Sequence, residues 1–353
     1  MVLDLYCSRQ FPSELDNFIF NDLKAIYSPD FEKAYLNKNA DIEHQKKNLG
    51  TYFPRSFVEA YLIFKDLHNN EYIKSIFEKN EFFILDIGGG VGGNLFGLLW
   101  FMKEHIKDFK SKRINVISLD CNDFALDIQE KIIRMFFLEN TYFYSKSPNL
   151  SRNNFNEMIN SVSEDYRCIN HGYKNKFDII MSFKFVNEFY RKYQDYCENK
   201  GMYKQITDTI TNLLDENGLF LLADTSDKND FDYFPKIMNK EIFEYLKNND
   251  EKLKPIVPLS CAIWHNDCIE PFNCYNLRIF NIITSKERFN SKLSYKIFAH
   301  KVTANKILNL IERQDNYHMG YGHVCKKGKF EFGSSLANES KNAFSYYDNL
   351  NKK

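Results

Sequence analysis

The chain has 353 residues, of which 44% are hydrophobic, so it can bury one large core with an appended region. Lysine plus arginine and aspartate plus glutamate each number 47, which excludes a global basic field; an RNA contact would need a local patch, and no DNA partner is expected. No apolar run approaches bilayer-spanning length, and the first residues carry acids where a leader is basic, so no membrane association and a soluble intracellular protein are expected.

Eight cysteines in a reducing compartment read as thiols or ligands, not disulfides. The 16% aromatic content, with abundant Asn and Lys, reads as coding bias and not as a stacking surface.

Residues 1–80 read as helices, with one spanning residues 55–67. The next segment, residues 82–94 (FFILDIGGGVGGN), is an apolar strand that ends in Asp86 and breaks into glycines. Four apolar residues in a row suit a strand buried on both faces, and the glycines let backbone approach a ligand where a Cβ would clash. The apolar run at 95–102 then opens a helix, which aims N–H groups and a positive end at whatever binds there.

A phosphate-cradling P-loop needs Gly-Lys-Ser/Thr at that helix start, and this chain has Gly93-Asn94-Leu95. Instead Asp86, Gly88, Gly90 and Gly92 stand in the register D-x-G-x-G-x-G. That register resembles motif I of the Rossmann-like S-adenosylmethionine (SAM) methyltransferases, in which the loop packs on the methionine portion while the acid addresses its amino group.

A second strand at 115–120 ends in Asp120, and a helical stretch follows at 124–137. An acid at a strand's carboxyl end can accept ribose hydroxyls; Asp120, Asn122 and Asp123 are also available as N-caps. Further strands are expected at 141–145, 177–183 and 219–224, helices at 185–196 and 203–214, and a turn at Asn217-Gly218. Alternating strands and helices predict an α/β, parallel, doubly wound sheet, with residues 277–283 and 295–302 as an antiparallel closing pair.

The fourth strand runs into Ser182-Phe183-Lys184-Phe185-Val186-Asn187-Glu188 and lacks the Pro-Pro-aromatic motif of base amino-group methylases. Asn187 and Glu188 are the candidate catalytic residues, and the exposed first turn of a helix accounts for them equally well.

Cys261, Cys268 and Cys274 lie within fourteen residues of Pro-bearing chain, and Cys325 offers a fourth sulfur. Such converging thiolates suit a soft metal centre. Gaps of six and five residues are wider than the usual zinc pairs, so an iron-sulfur cluster is favoured, with zinc or unligated thiols as alternatives.

Taken in order, Phe53-Pro54-Arg55-Ser56 through Tyr61, the glycine loop, the Cys261–Cys274 segment, Ser294-Tyr295-Lys296-Ile297 and Cys325-Lys326-Lys327-Gly328 resemble the methyltransferase-like proteins of mitochondrial small-ribosomal-subunit assembly and their bacterial relatives. The match departs from the family at Cys261, followed by Ala262-Ile263-Trp264 before His265, where Cys-Pro-His is usual.

The resemblance implies a SAM-binding domain with a 4Fe-4S cluster on Cys261, Cys268, Cys274 and Cys325, acting on or near small-subunit rRNA in ribosome assembly. It makes Arg55 a candidate for the SAM carboxylate, beside the cofactor-binding residues Asp86, Gly88, Gly90, Gly92 and Asp120. Two alternatives accompany it: a non-catalytic RNA-binding assembly factor, and a small-molecule SAM methyltransferase with a zinc-stabilised loop.

The expected location is the cytoplasm, or the mitochondrial matrix in a eukaryote. Three regions are expected: helices at 1–80, a SAM-binding Rossmann-like core at 81–225, and a cysteine-bearing region with the closing strands and tail at 226–353.

Overall fold

The computed structural model describes residues 6–31, 39–147, 176–193, 197, 200–228, 232–257 and 278–312. The N-terminal region contributes more than helices. Strand β1 (Tyr6–Gln10) adds to the sheet, and α1 (Ser13–Asn17), a π-helical turn (Phe18–Asp22), α2 (Ile42–Thr51), α3 (Phe53–Leu67) and α4 (Glu71–Ile76) follow. Nothing local marks residues 6–10 as a strand, because their ladder partner lies more than 260 positions away: Tyr6 pairs Ile279 and Gln10 pairs Ile283 in parallel.

The central elements are β2 (Glu81–Ile87), α5 (Gly93–His105), β3 (Arg113–Leu119), α6 (Asp123–Phe136), β4 (Thr141–Lys146), β5 (Phe177–Phe183), α7 (Val186–Lys192), α8 (Met202–Thr211) and β6 (Leu214–Thr225). After them come α9 (Phe234–Asn249), β7 (Leu253–Val257), β8 (Arg278–Ile283), β9 (Arg288–His300) and α10 (Lys301–Glu312). The strands form one nine-stranded sheet in the order β4-β3-β2-β5-β6-β9-β8-β1, with β7 also paired to β9.

Strands β2 to β6 are mutually parallel, and β9 runs antiparallel to β6, β7 and β8. This is the α/β, Rossmann-like sheet expected from the alternating pattern, closed by the antiparallel pair β8 and β9. Residues assigned to three regions thus share one sheet: β1 from the first, β2 to β6 from the second, β7 to β9 from the third. The anticipated Asn217-Gly218 turn lies inside β6. Phe177 pairs Leu214 and Ile179 pairs Leu219, so residues 215–218 bulge outward while the strand continues.

Both faces of the sheet are covered. On one, α3, α5 and α6 enclose a core in which Phe57 and Phe137 meet Trp100 edge-on at 5.9 and 6.0 Å between ring centroids. On the other, α7, α8 and α9 pack over Leu85, Ile180, Phe220 and Leu222. Among the described residues, most of the aromatic side chains in these two cores fill the interior, while Phe124 and Tyr142 are exposed. Helix α5 is buried along residues 93–102 because it runs between α3 and the sheet. A side chain at Gly97 would strike the Phe57 carbonyl, so glycine there lets α3 lie directly on α5. Among the described residues no helix is long and apolar enough to cross a membrane.

Candidate functional site

Strand order reverses between β2 and β5, and in such sheets ligands bind at that switch point, outside the carboxyl ends of the strands. A cleft of about 200 Å³ opens there. A cavity needs roughly 10–15 Å³ on this measure to hold one water, so the cleft has room for an organic ligand.

One wall is the glycine loop after β2. Gly88 and Gly89 donate their N–H groups to the Leu119 carbonyl at 2.8 and 3.1 Å, and Gly90 donates to Asp120 Oδ2 at 2.8 Å. Gln129 Nε2, from α6, donates to the Gly90 carbonyl at 2.7 Å. Each bond satisfies a loop group and welds the loop to β3 and α6.

The glycines serve different ends. A Cβ at Gly88 would enter the Phe185 ring, and at Gly92, the left-handed cap of α5, it would meet Phe96 and Gln129. Only at Gly90, with φ +53°, does the missing Cβ face open space. Gly90 thus lines the cleft with no neighbour crowding its missing Cβ, beside Gly88, Gly89 and Gly93, which line it too.

Asp120 lines the cleft with its oxygens accepting from the N–H groups of Gly90 and Asn122 at 2.8 and 2.9 Å. It is not the N-cap of α6. Asn122 holds that role, accepting from Ala125 N at 3.1 Å. Cys121, beside Asp120, also lines the cleft; burial and the nearby charges of Asp120 and Glu188 push its thiol up to about 12, so it is protonated at neutral pH.

Asp86 stands behind the loop, not in the cleft. It is fully buried, accepts from Asn94 Nδ2 at 2.5 Å, and its Oδ2 has no partner among the described residues. Burial pushes its pKa up to about 7, against the Asn94 hydrogen bond and with a further push from Asp120. Asn94 does line the cleft and links this acid to it.

The opposite wall comes from the carboxyl ends of β5 and β6 and from α7. Lys184 follows β5 with φ +55°, a left-handed conformation that costs a lysine energy. Its Nζ donates to Glu59 Oε2 at 2.5 Å and reaches Ser56 Oγ at 3.4 Å; Glu59, fully buried in α3, also accepts from Ser291.

Asn187 lines the cleft and is held by Asp224, at the end of β6: its N–H and Nδ2 donate to the two carboxylate oxygens at 3.0 and 2.5 Å. Asp224 also accepts from Tyr203 Oη and Thr225 N, both at 2.7 Å. Burial pushes Asp224 up to about 6, while these donors pull the other way. Beyond Tyr203, the buried Glu241 accepts from Tyr190 Oη, Tyr203 N and Lys204 N, capping the start of α8.

Of the residues singled out from sequence, Gly88, Gly90, Asp120, Asn187 and Glu188 converge on this cleft. Arg55 does not line it. Its guanidinium sits 3.6 Å from Glu287 and over the Phe289 ring at 4.5 Å, on a different face of α3 from Ser56. Cys261, Cys268, Cys274 and Cys325 lie outside the described residues, and among the described residues no group of three His, Cys, Asp or Glu side chains is placed to hold a metal.

Lys184, Gln129, Asp224 and Tyr203 escaped the sequence reading. For Asp224 a signal existed: β2, β3 and β6 all lead into an acid, as Leu85-Asp86, Leu119-Asp120 and Ala223-Asp224. The left-handed Lys184 has no sequence signature.

Fold and cleft define a Rossmann-like α/β protein with an acid-ended, glycine-rich loop at its switch point. No protein-family model matches the chain, and no curated protein matches it by sequence. Among solved structures it is similar to a putative RNA methyltransferase from Pyrococcus horikoshii, at 10% identity and a TM-score of 0.37, covering 82% of this chain and 99% of that one. It is also similar to magnesium protoporphyrin IX methyltransferase from Synechocystis PCC 6803, solved with bound SAM, at 10% identity and a TM-score of 0.35, covering 81% and 95%. A third is precorrin-6y C5,15-methyltransferase from Geobacter metallireducens GS-15, at 12% identity and a TM-score of 0.31, covering 64% and 82%.

Proposed function

We propose that this chain is a SAM-dependent methyltransferase whose cofactor lies on the glycine loop. The carrying observation is Gly90: its N–H is tied to Asp120, its carbonyl to Gln129, a Cβ there would meet nothing within 4 Å, and the residue lines the cleft. When bound, SAM supplies a sulfonium methyl, which leaves with the C–S electron pair remaining on sulfur.

The protein's part is positioning. Asp120 accepts the ribose hydroxyls, Asn94 and the first turn of α5 face the methionine portion, and Asp86 behind the loop holds the Asn94 amide in place. Calorimetric titration with SAM tests the reading: saturable one-to-one binding is expected, and no heat from a folded sample would refute it.

A role at small-subunit rRNA in ribosome assembly, and a 4Fe-4S cluster on Cys261, Cys268, Cys274 and Cys325, are part of this proposal. They are supported by the order of motifs along the chain, including Phe53-Pro54-Arg55-Ser56 in α3 and Ser294-Tyr295-Lys296-Ile297 in β9. Anaerobically purified protein should contain iron and sulfide; stoichiometric zinc without iron would reject the cluster.

A further inference from the structure

Asp224 is surrounded by four donors: the N–H and Nδ2 of Asn187, Tyr203 Oη and Thr225 N. A carboxylate accepts at both oxygens and, when ionised, donates nothing, so it dictates which end of the Asn187 amide faces it. The amide nitrogen turns inward. The carbonyl oxygen is then the only polar side-chain atom Asn187 has left, and no described residue donates to it.

Asn187 is 3% exposed and reaches solvent only through the cleft it lines. The Asn187 carbonyl oxygen is not sealed off from solvent, so it is open to the cleft, where a ligand's N–H or O–H can donate to it. Tyr203 reinforces the orientation: fully buried beside Asp224, its hydroxyl is held well above the usual phenol range and stays a donor.

We propose that Asn187 Oδ1, held toward the cleft by Asp224, is the hydrogen-bond acceptor that orients the incoming nucleophile, and that the methyl acceptor is therefore an N–H or O–H group. This rests on the SAM reading above. Asn187 touches the nucleophile and Asp224 is a positioning residue. The nucleophile's lone pair forms the bond to the methyl carbon as the C–S bond breaks, and its proton, hydrogen-bonded to Asn187 but not transferred to it, leaves to bulk water. A carbon or thiolate acceptor has no proton to offer and gains nothing from this oxygen.

The probes are S-adenosylhomocysteine, which ends at sulfur, and sinefungin, which carries an amine where SAM carries its methyl. Titrating both into the full chain, wild type should bind sinefungin roughly tenfold more tightly than S-adenosylhomocysteine, the worth of one good hydrogen bond. In Asn187→Ala the ratio should fall to about one. Asn187→Ser, whose hydroxyl still donates to Asp224, guards against misfolding and should give the same loss.

Asp224→Asn, which faces the four donors with an NH₂ group and so frees the Asn187 amide to flip, should lower the ratio with both side chains still present. A wild-type ratio of one, or a tenfold ratio that survives in Asn187→Ala or Asn187→Ser, would overturn the proposal. Failure of wild type to bind either nucleoside would instead overturn the SAM reading beneath it.

Discussion

The two walls of the cleft are built on different principles. On the glycine-loop side the contacts are made largely by backbone: N–H groups of Gly88, Gly89 and Gly90 bind the end of β3, and few side chains intervene. On the α7 side backbone is positioned by buried charge, with Glu59 holding Lys184 and Asp224 holding Asn187. The first wall follows from local chain geometry and tolerates little change in shape. The second depends on charges whose partners come from distant segments, and it tolerates little change in ionisation. The loop presents a surface to a ligand, whereas the α7 wall orients particular atoms.

The largest effect should come from breaking the charged wall. Lys184→Ala leaves the fully buried Glu59 with Ser291 as its remaining hydrogen-bond partner among the described residues, and stability should drop by about 3–5 kcal/mol in urea unfolding. Lys184→Gly, which relieves the left-handed backbone, should lose less, and an equal loss would show that conformation contributes little.

Next is Asp86, whose folded pKa near 7 lies above the ordinary 3.8, so the native state holds its proton more tightly than the unfolded chain. Its contribution is fully present below pH 3.8 and is lost as pH rises to about 7, levelling beyond. Asp86→Asn, which keeps an acceptor for Asn94, should therefore match wild type near pH 4 and be the more stable protein at pH 8. The gain is up to roughly 4 kcal/mol by the linkage relation, less if the site relaxes. A stability difference independent of pH would contradict the buried-acid assignment.

On the loop side, Gly90→Val should abolish detectable SAM binding, a loss of at least about 3 kcal/mol in affinity, because the β-branched chain fills the cleft and cannot adopt φ +53° without strain. Unchanged affinity in a folded variant would remove the loop from the site. Asp120→Ala should weaken SAM binding by about 1–3 kcal/mol, partly from lost ribose contacts and partly from the freed Gly90 N–H. A calorimetric effect within error would leave Asp120 as a fastener of the loop only.

Legibility in the sequence followed the same division. The register Asp86-x-Gly88-x-Gly90-x-Gly92 and the strand ending at Asp120 were readable, because a buried parallel strand and a glycine turn are local patterns. What each glycine does was not. Gly88 makes room for Phe185, nearly a hundred positions on, and Gly97 makes room for the backbone at Phe57, while at Gly90 a Cβ would meet nothing within 4 Å. Arg55 was legible as a charge near a motif, but its direction depended on the approach of α3 to the start of β9, where Phe289 and the preceding Glu287 face it.

By itself the sequence determined the alternation of buried strands and helices, hence a parallel α/β sheet, and the position of the glycine loop at the carboxyl end of its first central strand. These follow from hydrophobic periodicity and glycine stereochemistry, which act within a few residues. Only the tertiary structure decided that residues 6–10 complete the sheet, that Glu59 and Lys184 share a buried bond, and that Asp224 turns Asn187 toward the cleft. Each requires a buried polar or backbone group to find its partner across tens to hundreds of residues, and that pairing is set by packing, to which a one-dimensional pattern carries no key.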